Sequence, residues 1–195
     1  MSDMLLVSSQ PGQEAGLGIL DVLTGTVNPS ARMPLTVYPR EYLNKSLPIS
    51  NFDVSKGVGR TYRYLKGIVP FYRFGYGLSY TTFTYSNLSL SYANDSVAVA
   101  FEVKNTGNVA GFEVAQVYVS LPSTADIVVP LASLCAFKKL MLVPGQSATL
   151  ALDCGGDALT FVSDDGSRAH AVGIATVHVG AVSPPCNLSA QVELS

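Results

Sequence analysis

Charge is scarce in this sequence: only 13 % of its 195 residues are Asp, Glu, Lys or Arg, against 48 % hydrophobic residues. That balance excludes a chain held disordered by high charge and low hydrophobicity. Long apolar runs are also missing, none approaching the roughly 20 residues of a membrane helix, so no membrane partner is expected. The net charge of −2 divides into +3 over residues 1–85 and −5 over residues 86–195, and neither value calls for a nucleic-acid partner. The densest basic stretch, Arg60, Arg63, Lys66 and Arg73 among Tyr62, Tyr64, Phe71 and Tyr72, reads as a solvated or domain-packing loop and not as a base-stacking surface. Cysteine is limited to Cys135, Cys154 and Cys186, too few and too far apart for a zinc ribbon or a redox pair. A buried free thiol is the expectation at each, with one disulfide between two of them the alternative. His170 and His178 lack a third ligand at metal spacing, so neither metal nor cofactor is expected.

The opening segment MSDMLLVSSQPG has no charged stretch followed by a long apolar core and a cleavage site, so no signal peptide is read there. Met1 then suggests an internal methionine of a longer chain. Asn44, Asn87, Asn94 and Asn187 each begin an N-x-Ser triplet without an intervening Pro, which makes them glycosylation candidates. Four such triplets lean toward a secreted or extracellular parent protein.

What the sequence does contain is a succession of short patterned segments. Residues 4–7 are a continuous apolar run, followed by a loop and by Ala15, Ile19, Leu20, Val22 and Leu23 at helical spacing, with Gly25 just beyond. This predicts a buried strand, a loop and a helix. One strand-helix unit cannot cover both faces of a parallel strand, so it reads as the remnant of a larger α/β sheet. Residues 28–80 are rich in Pro, Tyr and Gly with little periodicity, which predicts a long irregular connection shaped by packing against a partner.

From residue 82 the pattern changes to period two. Phe83 and Tyr85 share a face, a phase slip at Ser86 and Asn87 predicts a bulge, and Leu88, Leu90 and Tyr92 resume the alternation. Val97, Val99, Phe101 and Val103 alternate next, and after the NTGNVAG turn cluster Ala115, Val117, Val119 and Leu121 do the same. Further strands are predicted at 134–142, 148–152, 159–163, 172–180 and 188–194. Seven or eight short strands without an intervening helix predict a mainly β chain carrying an immunoglobulin-like or fibronectin-like sandwich.

Residues 10–43, QPGQEAGLGILDVLTGTVNPSARMPLTVYPREYL, resemble the closing part of the second α/β domain of family 3 glycoside hydrolases. Residues 59–85 are similar to the linker from that domain into a fibronectin type III-like module, above all through F-G-Y-G-L-S-Y-T-x-F at 74–83. The module's own pattern recurs at residues 103–122, 137–152 and 177–183. The resemblance implies three parts: residues 1–45 from the α/β domain, an aromatic linker at 46–81, and the fibronectin type III-like domain at 82–195. Within the family, G-R-T-Y-R at 59–63 and P-x-E-Y-L-x-K at 39–45 are more similar to the β-xylosidase and α-arabinofuranosidase branch than to β-glucosidases. The sequence departs from the family pattern at Ala31, where Gly is usual and a positive φ would be strained by a side chain.

The resemblance implies a parent enzyme that releases terminal β-linked xylose, arabinose or glucose in cell-wall polysaccharide breakdown. Its retaining chemistry needs two carboxyl groups about 5–5.5 Å apart. In the family these come from a barrel domain and from the α/β domain upstream of the P-G-Q loop, so no catalytic residue is expected in this chain. Its partners would be those missing domains and, through them, an oligo- or polysaccharide. Glu14 opens the predicted helix at an α/β edge, where ligands often bind, yet the helix dipole alone favours an acid there. Asp21 falls mid-helix, and Asp164 and Asp165 precede Gly166 in a hairpin turn. Tyr62, Tyr64, Phe71, Phe74, Tyr76 and Tyr80 are candidates for docking the sandwich onto the α/β domain, because Gly75 and Gly77 around Tyr76 suit close backbone approach. The alternative is a stand-alone carbohydrate-binding or interaction module.

Overall fold

The computed structural model describes residues 12–123, 127–163 and 166–195. The strand expected at 4–7 and the Asp164-Asp165 turn lie outside them. Helix α1 spans Ala15–Thr24 and ends on Gly25, whose φ of 78° turns its N–H back to the Val22 carbonyl. Its Leu17, Leu20 and Leu23 are exposed, and no residue of the helix is buried. The irregular connection that follows contains a 3-10 helix at Arg40–Asn44 and a single helical turn, α2, at Thr61–Tyr64. It doubles back on itself: Met33 N–H donates to the Tyr76 carbonyl (2.7 Å), Gly75 N–H to Met33 (2.8 Å) and Val37 N–H to Tyr72 (2.8 Å).

The remainder is a β-sandwich. Its strands are β1 (Phe83–Ala93), β2 (Ser96–Asn105), β3 (Gly111–Ser120), β4 (Ser133–Leu142) and β5 (Ser147–Gly155), then β6 (Thr160–Val162), β7 (Arg168–His170), β8 (Gly173–Gly180) and β9 (Leu188–Leu194). One sheet has the order β1-β2-β5 and the other β4-β3-β8-β9, while β6 and β7 form a small separate hairpin. Alternation explains the assembly. Val97, Val99, Phe101 and Val103 of β2 face Ala115, Val117 and Val119 of β3 and Ala175, Val177 and Val179 of β8, all at most 1 % exposed. Each Val or Phe so buried contributes about 1.5–3 kcal/mol. The phase slip in β1 is a register break between Ser86 and Ser89, with Asn87 at φ 57°. Strand β7 is the one the pattern did not announce, for its three residues are all exposed and carry no alternation.

The expectation of free thiols is overturned at two positions. Cys135 and Cys154 form a disulfide with Cα atoms 5.2 Å apart, leaving Cys186 as the free cysteine. The bond joins β4 to β5, the edge strands of opposite sheets on the same flank of the sandwich. Which strands share a flank is decided by sheet order, which spacing along the chain does not reveal.

Strand β3 is covered on both faces. Besides its inward residues, Gln116 and Tyr118 on the outward face are 4 % and 0 % exposed. The doubled-back connection covers them, and this contact is the candidate functional site.

Candidate functional site

Two polar anchors hold residues 28–32 against the end of the sandwich. Asn28 Nδ2 donates to the Ala110 carbonyl (3.0 Å), while its Oδ1 accepts from Ser79 Oγ and Tyr80 N–H, both at 2.9 Å. Arg32 donates through Nη1 to the Gly77 carbonyl (3.0 Å) and through Nη2 to Glu113 Oε2. The other oxygen of Glu113 accepts from the Tyr85 hydroxyl at 2.6 Å, so one carboxylate links the connection, β1 and β3. Glu113 is 1 % exposed. Burial, and then the Glu113 charge, push the Tyr85 hydroxyl far above the usual phenol range, which keeps it a donor.

An aromatic contact lies further along. Tyr62 stacks on Phe74 with centroids 4.6 Å apart and meets the buried Tyr118 ring edge-on at 5.7 Å. Its hydroxyl accepts from Leu134 N–H (3.1 Å), and the Arg63 carbonyl accepts from Leu131 N–H (2.6 Å). Gly75 has φ 83°, and a Cβ there would sit 2.7 Å from Gln116 Oε1; a Cβ on Gly77 would sit 2.5 Å from the Ala31 carbonyl. Ala31 is not among the residues with positive φ, so the strain anticipated for it does not arise. Arg73 Nη1 donates to the Ser183 and Pro185 carbonyls, and Ser183 N–H donates to the Phe74 carbonyl. Phe74→Ala removes the ring on which Tyr62 stacks. It should cost about 2 kcal/mol, less than the roughly 3–5 kcal/mol of a fully buried Phe because Phe74 is half-buried, and thermal melting with and without the substitution measures it.

Of the six aromatic docking candidates, Tyr62, Tyr64 and Phe74 are half-buried, whereas Phe71, Tyr76 and Tyr80 are exposed. Tyr80 donates its hydroxyl to the Val22 carbonyl at the end of α1 (2.5 Å), and Tyr76 rests on Tyr72 with centroids 5.1 Å apart. All four sequon asparagines, Asn44, Asn87, Asn94 and Asn187, are exposed, with Asn87 at the bulge and Asn94 in the β1–β2 turn. Glu14 is exposed at the start of α1 and makes no capping bond. Asp21 is half-buried within that helix and His170 is exposed. Among the described residues no group of three or more His, Cys, Asp or Glu side chains converges on a metal-sized site.

Sequence reasoning missed Arg32 and Glu113. A signal existed, because Glu113 stands in register with Ala115, Val117 and Val119 on the inward face of β3, and a buried carboxylate requires a cationic or hydrogen-bonding partner.

His178, on the outward face of β8, sits in the same contact. Ser120 Oγ gives its only proton to the Leu131 carbonyl (2.5 Å), so His178 Nε2 is the donor to Ser120 Oγ at 3.1 Å. Burial holds its pKa below the ordinary histidine value. The unfolded chain therefore takes up a proton first as pH falls. Stability should be complete above about pH 6.5 and decline below it, and His178→Gln should flatten that decline in melting curves taken from pH 7 to pH 5.

Beside α2 lies a groove of 630 Å³ between Arg63 and Tyr64 on one side and the β6–β7 hairpin on the other. Its wall includes Cys135 of the disulfide.

Residues 2–80 match the glycosyl hydrolase family 3 C-terminal domain, and residues 113–183 match the fibronectin type III-like domain. The chain is the C-terminal region of a glycosyl hydrolase family 3 protein. Among curated family relatives, a probable β-glucosidase L of Aspergillus fumigatus is 40 % identical over 160 residues, covering 70 % of this chain and 22 % of the relative. A probable β-glucosidase J of Neosartorya fischeri is 38 % identical over 182 residues, covering 85 % and 21 %. The β-D-glucoside glucohydrolase of Trichoderma reesei superposes with a TM-score of 0.80 at 29 % identity, covering 95 % of this chain and 29 % of that one. β-Glucosidase 3B of Thermotoga neapolitana, solved with glycerol, gives 0.79 at 36 % identity, covering 95 % and 27 %. The chain thus spans about a fifth of the length of the curated relatives it matches.

Proposed function

We propose that this chain is the C-terminal accessory part of a glycosidase that releases terminal β-linked sugar units in cell-wall polysaccharide breakdown. Glucose is favoured over xylose or arabinose, because the relatives named above carry β-glucosidase names. The observation that carries the reading is the two-sided character of residues 12–80. One side is anchored to the sandwich through Asn28, Arg32 and Tyr62, while Leu17, Leu20, Ile49, Phe52 and Phe71 remain exposed, Ile49 and Phe52 at about 90 %. Such a segment joins the sandwich to further structure, here the α/β and barrel domains of the parent polypeptide.

The catalytic carboxyl pair belongs to those domains. Glu113, the deeply buried carboxylate among the described residues, is committed to Arg32 and Tyr85. A disulfide and four exposed sequons support an oxidising, secretory setting for the parent. The 195-residue chain assayed on aryl β-glucosides and β-xylosides should show no turnover, and the full-length parent should cleave the glucoside faster. Turnover by the chain alone that disappears in Glu14→Gln would refute this assignment. The second reading, a stand-alone carbohydrate-binding module, is favoured by the exposed Phe71 and Tyr76 rings, since aromatic faces stack on sugars. It would prevail if Tyr76→Ala removed binding of xylo-oligosaccharides without altering the melting temperature.

A further inference from the structure

The groove beside α2 is assembled from both halves of the chain. Arg63 and Tyr64 come from the connection, while Thr160, Phe161, Asp157 and Arg168 come from the sandwich side, with aliphatic side chains between them. Its 630 Å³ falls within the range of about 300–1,000 Å³ found for ligand sites. The α2 wall is fixed at the backbone, because the Arg63 carbonyl accepts from Leu131 N–H and the Tyr62 hydroxyl accepts from Leu134 N–H. The two cations differ. Arg168 is paired with Asp157, whereas Arg63 has no carboxylate partner among the described residues and its guanidinium lies 6.0 Å over the Tyr64 ring.

We propose that this groove binds a saccharide whose ring carries a carboxylate, a uronic-acid unit of an acidic polysaccharide. A guanidinium without a partner binds a carboxylate through two parallel N–H donors. The Tyr64 ring and the aliphatic side chains receive the C–H faces of a sugar ring, and the Thr160 hydroxyl and Asp157 carboxylate receive its hydroxyls. A nucleic acid is disfavoured because a phosphate chain calls for several cations in a row, and the groove offers two, one of them paired with Asp157. The inference rests on the proposed polysaccharide setting for the choice of a sugar acid, but its test reads binding alone, so hydrolysis by the parent can stand if it fails.

The full 195-residue chain, isotopically labelled, is titrated with a glucuronic acid-substituted xylo-oligosaccharide, with neutral xylotetraose and with 4-hydroxybenzoate. The expected result is saturable amide shifts at Tyr64, Leu134 and Phe161 with the acidic sugar only, weakened by added salt. Arg63→Gln should raise the Kd about tenfold, equivalent to ~1.4 kcal/mol. Its melting temperature should stay unchanged, because the α2 anchors are backbone and Tyr62 contacts. The proposal is overturned if no saturable shift occurs, if the neutral sugar binds equally, if Arg63→Gln leaves the Kd unchanged, or if 4-hydroxybenzoate binds and the acidic sugar does not.

Discussion

Replacing Arg32 by Met should lower the stability of the chain by about 3–5 kcal/mol, because it strips the cation from a carboxylate that is almost wholly buried. For a chain of this size that corresponds to a fall in Tm of about 6–20 °C. Part of the loss arises from the stranded charge and not from the bond itself. Glu113→Gln keeps an acceptor for the Tyr85 hydroxyl while removing the charge, so the double variant Arg32→Met with Glu113→Gln should recover much of the loss. The two effects are therefore expected to be non-additive. Additive losses in the double variant would mean that the pair is not coupled and that the connection is held mainly by its aromatic contact. The single variant should also make residues 28–80 more sensitive to protease than the sandwich, since the connection loses one of its polar anchors.

Removing the disulfide should cost about 3 kcal/mol, the chain-entropy value for a loop of this length, as the half-cystines are 19 residues apart. Alanine is the appropriate replacement at both Cys135 and Cys154, because Cys154 is fully buried and a serine hydroxyl would have to find a partner there. Reductant should lower the melting temperature of the natural chain by the same amount and leave the double alanine variant unaffected. Three titratable thiols in the unreduced, unfolded chain would show that the bond is absent. The flank that loosens is the one bearing the groove, since Cys135 lines it and Cys154 precedes Gly155 on its wall.

Both results depend on pairings that differ in how legible they were. The strands were readable because side-chain alternation is a local property: the valines of β2 and the inward residues of β3 and β8 face the core wherever their neighbours lie. The bulge in β1 was readable for the same reason, since an inserted residue shifts the alternation within the strand itself. Strand β7 was not, because its three exposed residues pair only with β6 and leave no hydrophobic trace. The aromatic connection could be recognised as a packing segment, but not which rings would face the sandwich. Tyr62 and Phe74 do, while Phe71 and Tyr76 face outward.

The sequence by itself determined the class of the fold, the extent of the sandwich strands and the resemblance to family 3, all of which follow from short-range periodicity and contiguous motifs. Only the tertiary structure decided that Arg32 meets Glu113 across 81 residues, that Cys135 and not Cys186 joins Cys154, and that β3 is covered on both faces. These are consequences of sheet order and of a connection folding back over one face. A buried charge or a thiol announces that it needs a partner, but several partners of the right chemistry lie along the chain, and the geometry of packing selects one.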